Sequence, residues 1–175
     1  MRISWKLLVA GICVVLAGGV LASRFLTTTL SLNSAVVRIP SVLEDQRLIP
    51  SHLHVTALRR EYPFFLARGL PNGGDRFWLD FQEGGGVGLL LYPDAAAREA
   101  AYQIGTDGLG DGTRPISDIG ERSQFLSNTV GPGLPEIVFM RCSVVVHARL
   151  PDVSDSDALA YAQRLDQQLR GIVCG

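Results

Sequence analysis

Few side chains in this 175-residue chain are suited to chemistry, and the histidines are the first to weigh. There are three, His52, His54 and His147. His52 and His54 stand two apart, so a strand through residues 52–58 would turn both rings to one face. Three imidazoles are a sufficient protein donor set for a catalytic zinc ion. An exported metal-dependent hydrolase built on His52, His54 and His147 is therefore one functional expectation. Against it, no Cys, Asp or Glu stands near them at a familiar zinc-site spacing, and the sequence has no H-E-x-x-H run. The plainer reading is three partly exposed strand histidines.

Other catalytic arrangements find less support. The G-x-S-x-G turn that presents a nucleophilic serine is missing, as is the phosphate-cradling P-loop. Ser143 and His147 lie four residues apart on one strand, roughly 13 Å at the usual rise, which is beyond hydrogen-bond reach. Asp80 and Glu83 pair only loosely across a turn and read as solvated. The run DGLGDG at 107–112 has acidic residues among glycines but lacks the alternating acids and closing Glu of an EF-hand. The glycines at 84–86 lead from strand to strand, so no helix N-terminus follows them to hold a phosphate. The sequence thus implies no cofactor.

Cysteines carry a different signal. Cys13 lies in an apolar stretch, and Ile12 occupies the place where a lipoprotein needs a small residue, so Cys13 reads as a small buried hydrophobe. That leaves Cys142 and Cys174, an even pair suited to a disulfide in an oxidising compartment; two free thiols are the alternative. For recognition, the candidate surface is Trp78 with Arg141, His147 and Arg149. Alternation along the strands turns these away from the apolar faces of Phe77, Leu79 and Phe81 and of Val144, Val146 and Ala148. A tryptophan near arginines is a common anchor for a protein or small-molecule ligand. The competing reading is that a second layer, such as residues 62–66, covers Trp78.

The N-terminus supplies an address. Arg2 and Lys6 precede sixteen uncharged residues, 7–22. Cleavage after Val20-Leu21-Ala22 would make this a secretory signal. Retained, residues 7–26 approach the roughly 20 needed to span a bilayer, with Arg24 snorkelling and the N-terminal charges inside. Both readings export the remainder, either as a domain on the outer side of the cell membrane or as a secreted protein. The organisation expected is 1–26 as signal or anchor, 27–40 as linker and 41–175 as one domain. The formal net charge is −1; without Arg2 and Lys6 there are 14 basic against 17 acidic residues, or −3. No basic face follows, which argues against a nucleic-acid partner.

The elements that must position these residues follow from periodicity and turn chemistry. Residues 41–48 suit a short helix capped by Ser41, and 52–58 a strand. The cluster GLPNGGD at 69–75 is a turn. Residues 76–82 and 87–92 alternate as a hairpin around the glycines. Asp94 is suited to cap a helix whose stripe is Ala97, Ala101 and Ile104, with Gly105 as its stop. Residues 116–126 suit another strand, and 127–134 a loop. The densest β-forming run, PEIVFMRCSVVVHARL at 135–150, exceeds ordinary strand length and divides into two strands turning at Arg141-Cys142-Ser143. Ser154 caps a last helix with Leu159, Ala162, Leu165, Leu169 and Ile172 on its apolar stripe, and Gln163, Arg164, Asp166, Gln167 and Arg170 outward. Together these predict an α+β domain, an antiparallel sheet with helices packed on one face.

Residues 77–169 also resemble uncharacterised exported bacterial α+β domains. The resemblance rests on YPDAAAREAA, SDIGERSQFL, IVFMRCSVVVHARL and the closing DALAYAQRL. It implies the same fold and export and brings no known activity. The chain departs from that pattern at the hairpin turn, where Cys142 stands in place of the usual glycine. The functional expectation is thus a non-catalytic extracytoplasmic domain, membrane-tethered through its N-terminus or secreted, that binds a protein or small ligand.

Overall fold

A computed structural model describes residues 33–61, 68–127 and 133–174. The N-terminal segment 1–26, residues 62–66 and most of the loop 127–134 lie outside the described residues. Among those described, no helix is long and apolar enough to cross a membrane.

The core is a seven-stranded sheet of β1 (Val55–Arg59), β2 (Asp75–Phe81), β3 (Gly86–Leu91), β4 (Arg114–Pro115), β5 (Arg122–Leu126), β6 (Glu136–Arg141) and β7 (Val144–Arg149). Every neighbouring pair is antiparallel, in the order β1-β2-β3-β7-β6-β5-β4. The helices are α1 (residues 33–43), α2 (Ala95–Leu109) and α3 (Asp155–Val173). After β3 the chain crosses in α2, restarts at the far edge and builds inward, so that β7 closes against β3. The strongest β-former in the sequence therefore ends at the centre of the sheet. There both its faces are covered, and Val144, Val145, Val146 and Ala148 are all at most 1% exposed.

The β6–β7 turn has two residues, Cys142 and Ser143, between the paired Arg141 and Val144. Cys142 has φ 48°, the left-handed conformation that tight hairpin turns demand and that glycine adopts more readily. Its sulfur is bonded to Cys174 just past the last turn of α3, with Cα atoms 5.4 Å apart. Closing a loop of this separation, 32 residues, contributes about 3–4 kcal/mol by restricting the unfolded chain.

The helices occupy both faces of the sheet, not the one face expected. Odd-numbered Phe77, Leu79, Leu89, Ile137 and Phe139 join Val144, Val146 and Ala148 in a large core with α1 and α3. Even-numbered Trp78, Leu90, Val138 and Met140, with Val145, form a smaller core under Ala101 and Tyr102 of α2. Single strands cannot reveal this, because the central β3, β6 and β7 are largely apolar on both sides and alternation alone does not say which helix covers which side.

Other boundaries shift for local reasons. Residues 33–40 are helical, not linker; Ala35 and Ile39 are fully buried in the larger core. Pro40 is tolerated there because Ala35, Ile39 and Leu43 form a stripe that tertiary packing holds. Asp94 caps α2 as expected, accepting from the Ala97 N–H at 2.7 Å, but the helix passes through Gly105 and stops at Gly110. Gly105 packs on the β6 residue Val138, where an added Cβ would stand 3.1 Å from Cγ1. The run 116–126 yields only β5, with the two-residue β4 before it. Ser154 caps α3, accepting from the Asp157 N–H at 3.1 Å.

Candidate functional site

The cross-strand register decides which polar side chains can meet. One row runs Ala57–Asp80–Gly86–Arg149–Glu136 across β1, β2, β3, β7 and β6. The next runs Arg59–Trp78–Gly88–His147–Val138. Both rows lie on the α2 face, toward the end of the sheet away from Leu90, Val145 and Met140. Where those residues meet α2 the face is apolar; in these two rows Arg59, Asp80, His147, Arg149 and Glu136 stand beside the apolar Trp78 and Val138.

Two charge clusters flank the glycines of β3. On one side the Trp78 indole N–H donates to Asp80 Oδ1 at 2.7 Å, and Arg59 Nε lies 2.7 Å from Asp80 Oδ2. On the other, His147 Nε2 lies 3.2 Å from Glu136 Oε2 and Arg149 Nε lies 3.1 Å from Glu136 Oε1. The two arginine contacts lack hydrogen-bond alignment and act as charge pairs. Glu136 and His147 are each 6% exposed. Burial pushes the Glu136 carboxyl up, but the His147 ring and the Arg149 guanidinium outweigh it and hold the group below its ordinary value.

Trp78 is 2% exposed, so it offers no recognition surface. Its indole lies over Gly86, where a Cβ would fall 2.6 Å from Cζ2. A glycine at 86 is what lets the ring pack flat against β3. Whether residues 62–66 supply the cover lies outside the described residues.

Arg141 is not beside His147 and Arg149. It pairs in register with Val144, whose side chain belongs to the α3 face, so Arg141 turns toward α3. Its Nε and Nη2 each donate to Asp166 at 2.6 Å, and this pairing raises the guanidinium pKa. Asp166, expected on the outer side of α3, is 2% exposed. The proposed quartet therefore divides into a buried tryptophan, a buried ion pair on one face, and His147 with Arg149 on the other.

The three histidines are not brought together. His54 precedes β1 and His147 sits on β7, with β2 and β3 between them, a gap of roughly 14 Å at the usual strand spacing. His54 is engaged elsewhere: its backbone N–H donates to Glu83 Oε2 at 3.0 Å, and its ring Nδ1 is 2.6 Å from Oε1. These bonds, the backbone one first, hold the Glu83 carboxyl down at about 2. His52 is exposed. Among the described residues no three His, Cys, Asp or Glu side chains gather as a metal site.

Glu136 and Asp166 are the polar residues that sequence reasoning missed. Glu136 had a signal: a carboxylate at the head of an otherwise apolar run must find a cation. Asp166 had none, because its partner lies 25 residues away on another element. The molecule is thus an α+β domain with a central hairpin, two unequal cores and a sheltered ionic cluster. Comparison with protein-family models, curated proteins and solved structures found no match.

Proposed function

We propose that the chain is an extracytoplasmic domain, tethered to the membrane by its N-terminal apolar segment, that binds a protein or small ligand and carries out no catalysis. The observation that carries this reading is the bond between Cys142 and Cys174. Structural disulfides persist in oxidising compartments and are rare where thiols are kept reduced. The apolar stretch after Arg2 and Lys6 supports the same placement. The part of the ionic cluster open to a ligand is its rim, Arg59, Asp80 and Arg149, whose side chains are 64%, 24% and 24% exposed. Asp80 is engaged by Trp78 and Arg59, so what the rim offers is guanidinium, suited to an anionic ligand.

The test is intact-mass analysis of the chain recovered from cell membranes and alkylated without reductant. The expected species keeps residues 1–26 and leaves Cys142 and Cys174 unmodified. Alkylation of both would overturn the compartment. Turnover of any substrate that disappeared with His147→Ala would overturn the non-catalytic part.

A further inference from the structure

We infer that the outward side of α1, around Val37, rests on the surface of the lipid bilayer. This deepens the tethered reading and rests on it. In that reading the apolar stretch ends at Leu26, and helical residues begin by 33. Six residues fully extended reach at most about 20 Å. A domain of this size is roughly 35–40 Å across, so the tether is shorter than the body it holds. The domain cannot turn its far side to the bilayer.

Which side faces the membrane then follows from how α1 is fixed. Ala35, Ile39 and Leu43 are at most 1% exposed and lock α1 into the larger core with α3. The opposite side of α1 carries Val37, Arg38 and Ser41, all exposed. Val37 is 75% exposed and is the one large hydrophobic so exposed among the described residues. It stands one turn from the point where the chain emerges from the tether. α2 lies across the sheet, so its outer side is turned away.

An open groove beside α1 is lined by Arg38, Ser41, Glu44, Gln167 and Gln168, hydrogen-bonding groups of the kind that lipid headgroups can engage. Its charges balance: Asp45 pairs with Arg47 at 2.7 Å, and Glu44 offsets Arg38. Contact is therefore imposed by tether length and Val37, not by attraction to anionic lipid, and neutral phosphatidylcholine suffices.

The experiment uses the full chain, with Cys13→Ser so that labels are unique. A polarity-sensitive fluorophore is attached at Val37→Cys, Ser41→Cys or Ala100→Cys, the last on the exposed side of α2. Each protein is reconstituted into phosphatidylcholine vesicles with and without headgroup spin-labelled lipid. Severalfold quenching at 37 and 41, with none at 100 and no loss in high salt, is the expected result. Failure of the protein to float with vesicles removes both the tether and the contact. Flotation with position 37 unquenched and solvent-exposed overturns the contact alone. So does a blue-shifted but unquenched signal there, since a second copy or another protein would then cover α1.

Discussion

The two faces of the sheet are made from the same strands and do different things. Adjacent residues of β6 show it: Phe139 enters the core beneath α1 and α3, and Met140 enters the smaller one beneath α2. The larger face is apolar for most of its extent, and its buried charge pair, Arg141 with Asp166, sits at the hairpin end beside the disulfide. The α2 face is apolar for part of its length and then becomes ionic, with Glu136 and His147 buried together. Stability is concentrated on the first face. The second gives up some of it for a polar cluster, and buried ions seldom improve on apolar packing.

The sharpest way to break this contrast is at β6. Phe139→Ala should cost about 4 kcal/mol and Met140→Ala about 2, since Phe139 is fully enclosed and Met140 keeps some exposure. Urea denaturation would show it, and equal losses would end the claim of unequal cores. Replacing Cys142 and Cys174 by Ser should cost about 3–4 kcal/mol, because the α3 face carries the covalent tie. Calorimetry should then show a lower Tm for the variant, and the difference should vanish when the native chain is reduced.

Asp166→Ala should cost about 3 kcal/mol by leaving the Arg141 guanidinium unpaired with only 13% of its side chain exposed. A loss no larger than that of an exposed ion pair would mean that Arg141 finds water instead. The smallest effect belongs to the α2 face. Glu136 has a lowered folded pKa, so its contribution is present above the ordinary value of 4.5 and fades as pH falls through the folded one. Glu136→Gln should therefore be about 1 kcal/mol less stable at pH 7, with a smaller deficit at pH 3. A difference unchanged between those pH values would show that charge is not what Glu136 contributes.

Local rules were enough for much of this chain. A turn at Arg141-Cys142-Ser143 (one residue tighter in the structure), the caps at Asp94 and Ser154, the alternation of Phe77, Leu79 and Phe81 and the apolar stripe of α3 all follow from interactions within a few residues. The pairing of two cysteines 32 residues apart was legible by count instead, since only two stand outside the apolar N-terminus. Tertiary structure alone decided the rest. Helix α1 has Pro40 in it and becomes helical because Ala35, Ile39 and Leu43 find a core to enter. Trp78 is buried with its ring against β3 because the glycine that opens that strand leaves room for it. Arg141 and Arg149 part company because successive positions on a hairpin turn to opposite faces, and which helix covers each face is settled by contacts far apart in sequence. The three histidines look alike in one dimension. Two strands lie between His54 and His147 in three, and that distance is what separates a zinc-site expectation from the separate carboxylate contacts these two actually make, with Glu83 and Glu136.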